Sequence, residues 1–200
     1  FHVVPTLRAA QKAVDAGVDG LVVEGGEGGG FKNPMPVSTL VLVPLIRSKV
    51  DVPIIAAGGI CDGASMAAAF ALGAEGVQMG TRMVSAAESP VHPNWKNAIV
   101  AAPETGTVFL RNEKGPALRA LRTERTARLF AEGGNSMAEL GGRIQDVYFG
   151  GDLEAGVALT GQVAGRIEDI APVSEVIQST VREFSETVAN LQRGVDAGGQ

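Results

Sequence analysis

The chain contains one cysteine, Cys61, so it forms no intrachain disulfide and no multi-cysteine metal site. That scarcity fits a reducing cytoplasm, the expected location. There are only two histidines. With no histidine or carboxylate cluster at ligand spacing, no metal site is expected, and no Ser-His-Asp arrangement can be argued. Aromatic residues make up 4% of the chain, and no cluster of Lys and Arg exceeds a couple of residues at a net charge of −5. Nucleic-acid binding needs a basic footprint to displace counterions and is not expected. No apolar stretch reaches the roughly 18 residues of a membrane-crossing helix, and the N-terminus has no signal-peptide pattern.

Glycine is abundant, at 27 of 200 residues, and hydrophobic content is an ordinary 45%. That length supports one domain with a sizeable core. Glycine and alanine between short β-branched runs suit α/β architecture. The chain opens Phe1-His2-Val3-Val4-Pro5 rather than with Met, as the end of a strand entering a helix. The reading is that an N-terminal half is missing; a processed mature chain is the alternative.

Val3-Val4 ends a strand, Thr6 caps a helix through Ala16, and Gly17 stops it. Gly20 to Glu24 is a continuous apolar run closed by an acid, as in strands buried on both faces. A glycine-dense loop from Gly25 to Pro36 precedes a helix from Thr39 to Lys49. Val52 to Ala57 is a further strand, Gly63 to Leu72 an alanine-rich helix, and Gly76 to Met79 the next strand. Successive strand–helix units imply right-handed crossovers and a parallel sheet. The near-repeat of Ala16-Gly17-Val18-Asp19-Gly20 in Leu72-Gly73-Ala74-Glu75-Gly76 favours a barrel. Residues 1–89 are therefore read as the second half of a (β/α)8 barrel. Residues 90–192 are read as an appended helical lid, with helices through Val100, over Ala155 to Ile167 and over Ser174 to Leu191. Residues 193–200 are read as a disordered tail.

Two loops carry the strongest chemical signal: Ala56-Ala57-Gly58-Gly59 and Met79-Gly80-Thr81-Arg82. Each follows a predicted strand, on the face where barrel enzymes place their active sites and phosphate sites. Glycine lets backbone N–H groups approach phosphate oxygens, and a following helix N-terminus favours an anion. The alternative for either loop is a tight turn with no ligand. The second signal is the glycine run from Glu24 to Pro34, read as backbone held against a flat ligand, or else as a surface loop. No helix opens inside it, so it is not a dinucleotide fingerprint. His92, between prolines, is read as structural, and Cys61 as a small packed residue. Lys32 and Arg82 are candidates for an acidic substrate group. Arg119, Arg122 and Arg125 could meet a nucleotide phosphate, with a polar helix face as the alternative.

On these residues the chain resembles the nitronate monooxygenase family, which includes flavin enoyl-ACP reductases and NADH:quinone reductases. The likeness runs through Gly17-Val18-Asp19-Gly20, Glu24-Gly25, Gly28-Gly29-Gly30, Pro53 to Ile60, Asp62-Gly63, Met66 to Ala69, Ala71 to Ala74 and Gly76 to Arg82, with a weaker match at Gly161-Gln162-Val163-Ala164-Gly165. The resemblance implies FMN held by Ala57, Gly58, Gly59, Gly80 and Thr81, with Glu24 and Gly29 near its other contacts. It also implies a catalytic position directly after the glycine run, where the family usually carries histidine. Here that position is Phe31, with Lys32 next to it; phenylalanine neither exchanges a proton nor donates a hydrogen bond. The Gly-Gly-Gly-Phe-Lys-Asn-Pro version is similar to a subgroup linked to breakdown of steroid rings as CoA thioesters.

The expected function is thus an FMN-dependent oxidoreductase passing a hydride between a bulky, perhaps CoA-linked, substrate and NAD(P)H or another acceptor. A nitronate monooxygenase using O2 is one alternative, and a non-redox barrel binding a phosphorylated metabolite is another. A homo-oligomer is compatible with the sequence.

Overall fold

The computed structural model describes residues 1–112, 114–133, 137–138 and 142–198. Its first part alternates strands and helices: β1 (His2–Val4), α1 (Leu7–Asp15), β2 (Leu21–Glu24), β3 (Gly30–Lys32), α2 (Thr39–Arg47), β4 (Ile54–Ala57), α3 (Gly63–Ala71), β5 (Gly76–Gln78) and the short α4 (Thr81–Val84). Strands β1, β2, β4 and β5 form one parallel sheet in that order. The register sets Glu24 beside Ala57 and Ala57 beside Gln78, so the C-terminal ends of three strands finish level. The expected sites all lie on that edge or on the loops leaving it.

Local chemistry accounts for these elements. Thr6 Oγ1 accepts from Ala9 N at 3.1 Å and starts α1. Gly17 and Gly73 follow the C-terminal caps of α1 and α3 at φ +84 and +99, a left-handed turn that costs glycine little. Leu21, Val23, Ile54 and Ala56 are fully buried, and Leu42, Val43 and Ile46 of α2 pack over them. Burial of each such aliphatic side chain stabilises the fold by about 1.5–3 kcal/mol.

The second part departs from the expected helical lid. After α5 (Pro93–Val100) come two strands, β6 (Thr107–Leu110) and β7 (Ala117–Leu121). They form an antiparallel sheet with β3 in the order β3-β7-β6. The physical reason is a period of two: Val108 and Leu110 are buried while Thr107 and Phe109 are less so. Arg119 lies within β7 and not on a helix face. Downstream are α6 (Glu124–Glu132) and α7 (Ile144–Tyr148). The helix expected over Ala155 to Ile167 is reduced to a 3-10 turn at Gln162–Arg166. Gly156, Gly161 and Gly165 weaken helix there, and a Cβ on Gly161 would press on Glu27 O and Gly29 N. The last helix, α8 (Val173–Gly198), runs through most of the tail expected to be disordered; residues 199–200 lie outside the described residues.

A second core surrounds Trp95, which is 1% exposed and donates from Nε1 to Thr160 Oγ1 at 3.0 Å. None of the described helices is long and apolar enough to cross a membrane.

Candidate active site

Level strand ends bring Glu24, Ala57 and Gln78 to one rim, and the loops above them enclose a cavity of about 290 Å³. All seven residues expected to hold a cofactor line it: Glu24, Gly29, Ala57, Gly58, Gly59, Gly80 and Thr81. Glu27, Gly28, Leu159, Gly161 and Val163, which sequence reasoning did not assign to the site, line it as well. A signal for Gly161 and Val163 existed in the short stretch resembling the family near the end of the chain.

The turn after β4 needs glycine. Gly58 and Gly59 have φ +86 and +79, and a Cβ on Gly58 would lie 3.0 Å from Gly28 N. Nothing lies within 4 Å of where a Cβ on Gly80 would stand. Among the described residues, the backbone N–H groups of Gly59, Ile60, Gly80 and Thr81 donate to no protein acceptor. Thr81 Oγ1 accepts from Gly161 N at 2.8 Å, which leaves its own hydroxyl proton available. The walls therefore present several donors and no cation.

One part of the expectation is corrected. The N-terminus of α3 is already occupied by carboxylates: Asp62 Oδ1 accepts from Ser65 N at 2.8 Å, and Glu183 Oε2 accepts from Gly63 N at 3.1 Å. An anion here must be met by turn N–H groups, without help from that helix end.

The glycine run is a fixed wall. Glu27 reaches α2 and accepts from Thr39 N at 3.0 Å and from Thr39 Oγ1 at 2.9 Å, taking the capping role that Ser38 leaves open. Glu27 O accepts from Gln162 N at 2.9 Å, and Arg119 Nε donates to Gly26 O at 2.7 Å. Burial lowers the Arg119 pKa, opposed by the Glu27 carboxylate. Arg119 thus ties the loop to the second sheet.

Phe31 and Lys32 are neighbours on β3 and point opposite ways, as strand geometry requires. Phe31 is 61% exposed and lies outside the cavity, on an adjoining groove of about 550 Å³. Lys32 is 4% exposed and turns inward, its Nζ 2.5 Å from Glu24 Oε1. The contact is an ion pair without hydrogen-bond alignment, and the ammonium has no aligned acceptor among the described residues. Desolvation lowers the Lys32 pKa, with Glu24 opposing.

Arg82, a candidate for an acidic substrate group, does not line the cavity, and neither do His92 and Cys61, which were read as structural. Arg82 is buried and bonds Asp169, Nη2 to Oδ1 at 2.7 Å and Nη1 to the backbone oxygen at 2.9 Å. His92 caps α5, its Nδ1 accepting from Asn94 N at 3.1 Å. Cys61 is buried, and desolvation followed by the charge of Asp62 pushes its thiol up to about 11.

The profile of the nitronate monooxygenase family matches residues 1–183. A (3aS,4S,5R,7aS)-5-hydroxy-7a-methyl-1-oxo-octahydro-1H-indene-4-carboxyl-CoA dehydrogenase of Mycobacterium tuberculosis is 31% identical, over 90% of this chain and 64% of that protein. The dehydrogenase of the same name from Rhodococcus jostii is 41% identical, over 61% of this chain and 35% of its own length. FabK from Thermotoga maritima superposes with a TM-score of 0.89 at 43% identity, covering 95% of this chain and 62% of FabK. A nitroalkane oxidase from Streptomyces ansochromogenes shares the fold, with a TM-score of 0.80 at 23% identity. The chain spans less than two thirds of the length of these relatives. It belongs to the nitronate monooxygenase family, and its parallel sheet is part of that family's (β/α)8 barrel.

Proposed function

We propose that this chain forms the cofactor-holding side of an FMN-dependent oxidoreductase acting on a bulky, CoA-linked substrate, with NAD(P)H or another acceptor as redox partner. The observation that carries the reading is the set of unpaired N–H groups at Gly59, Ile60, Gly80 and Thr81 around open space. Such turns match the needs of a terminal phosphate, because glycine leaves the backbone bare and several N–H groups converge on one anion. Each hydrogen bond to a charged oxygen contributes about 1.5–3 kcal/mol. The Thr81 hydroxyl adds a donor while Gly161 N fixes its oxygen. Gly29 and Glu24 stand further along the cavity, where the rest of a flavin would extend.

When bound, FMN supplies hydride exchange that no side chain can perform. The chain's own residues bind it, orient it and exclude water. The CoA-linked class is supported by the CoA dehydrogenases among the relatives and by Phe31 at the position where the family usually carries histidine.

The test is anaerobic bleaching of flavin absorbance in the full-length protein on addition of NADH or NADPH. Rapid bleaching supports a nicotinamide partner. A yellow protein that bleaches only with an acyl-CoA keeps the oxidoreductase reading and makes the organic substrate the reductant. A folded, colourless protein that takes up no added FMN overturns the reading.

A further inference from the structure

The groove beside Phe31 and the glycine cavity are separate spaces, and one residue lines both: Glu24. It closes β2, so the sheet fixes its backbone, and Lys32 fixes its side chain through the 2.5 Å ion pair. The pair is asymmetric. The Lys32 side chain is 3% exposed and borders only the Phe31 groove, whereas the Glu24 side chain, 23% exposed, borders both spaces. Glycine at position 28 makes room for this arrangement, since a Cβ there would overlap Glu24 Oε1 and crowd Lys32 Nζ. The other carboxylate on the cavity, Glu27, is engaged by Thr39 at the start of α2.

We propose that Glu24 is the proton acceptor for an organic substrate lodged in the Phe31 groove, and that Lys32 is the positioning residue that holds its carboxylate. The groove offers Phe31, Val3, Pro34 and Pro116 to an apolar, alicyclic body, and Glu24 is among its polar lining residues. The chemistry that fits is removal of an acidic proton next to a carbonyl or thioester. The C–H proton passes to a Glu24 oxygen, and the electron pair stays on the substrate as an enolate. Reprotonation from Glu24 or water restores the start. Glu24 is a usable base here because Lys32 holds its carboxylate on the wall of the groove, where a substrate C–H can meet it. The inference rests on the oxidoreductase reading for its substrate class, but the step itself transfers no electrons.

The test is hydrogen–deuterium exchange followed by NMR in deuterated water. The full-length protein is kept anaerobic and without nicotinamide, and the probes are cyclohexanone and cyclohexanecarboxyl-CoA. The wild type accelerates exchange at the carbon next to the carbonyl. Glu24→Gln lowers that exchange roughly 100-fold or more. Lys32→Met lowers exchange through the limiting rate at saturating probe, with the half-saturating probe concentration little changed, because the carboxylate is present but no longer held in place. Should Glu24→Gln alone fail to fold, the neutral pair E24Q/K32M must show the same loss. No exchange of either probe by the wild type overturns the proposal, as does unchanged exchange in the glutamine variant. Unchanged exchange in a folded Lys32→Met, or a loss seen only as weaker probe binding, reduces Lys32 to a packing residue and overturns its part. A colourless protein that still catalyses exchange would sink the oxidoreductase reading alone, and a yellow protein inert in exchange would sink this one alone.

Discussion

Glu24 Oε1 and Lys32 Nζ stand 2.5 Å apart across a gap kept open by the absence of a side chain at Gly28. The pair joins the end of a barrel strand to the inward face of a strand from the second sheet, and so ties the two sheets together at the site.

Removing one charge of this pair costs more than removing both. Lys32→Met strands a partly buried carboxylate and lowers stability by about 1–3 kcal/mol, whereas E24Q/K32M loses less. The pH dependence has a definite sign. The folded-state Lys32 pKa is lowered, chiefly by desolvation. The cost of burying the cation is therefore present at neutral pH and is relieved as pH rises through the lowered value towards the ordinary lysine range. Urea midpoints measured against pH check this: wild type gains stability over that window relative to Lys32→Met.

Gly80 separates cofactor binding from folding. Its backbone sits at φ −93, which any residue tolerates, and nothing occupies the space a side chain would enter. Gly80→Leu is expected to change the thermal midpoint little while weakening FMN binding about tenfold or more, or about 1.4 kcal/mol. Gly59→Ala differs because φ is +79, and the strain lowers stability by about 1–2 kcal/mol as well. Calorimetry with FMN and thermal melts of both variants decide the point.

Cys61 is expected to be unreactive at neutral pH. Its thiol is pushed up to about 11, so the thiolate fraction is small until strongly alkaline conditions. Iodoacetamide labelling read by mass spectrometry should be slow in the native protein and fast after unfolding. Rapid native labelling at pH 7 would contradict it.

Arg82 follows the Gly80-Thr81 turn in sequence yet braces Asp169. Arg82→Met should therefore lower stability by about 1–3 kcal/mol and leave FMN affinity unchanged. A clear loss of affinity in a folded variant would place the guanidinium on the phosphate instead.

The parallel sheet was legible because its strands are continuous apolar runs closed by glycine turns, a pattern that Leu21 to Glu24 and Ile54 to Ala57 follow. The cavity lining was legible where chemistry and sequence coincide, at Gly58, Gly59 and Gly80. The antiparallel sheet was not. β3 is three residues inside a glycine run and gains its identity only from β7, about ninety residues later. Arg119 reads as part of a polar helix face or a phosphate contact until Gly26 O is placed beside it. Likewise nothing local to Arg82 announces Asp169. Long-range partners decide such residues, and a local pattern carries no information about them.

The stitches from Thr81 to Gly161 and from Glu27 to Gln162 join distant parts of the chain. During synthesis the barrel strands leave the ribosome first, but the cavity gains its last wall only once residues 161–162 have emerged. Capture of the proposed cofactor is therefore expected late in the birth of the protein, and a nascent chain halted before that point would carry the glycine turns without a closed place to use them.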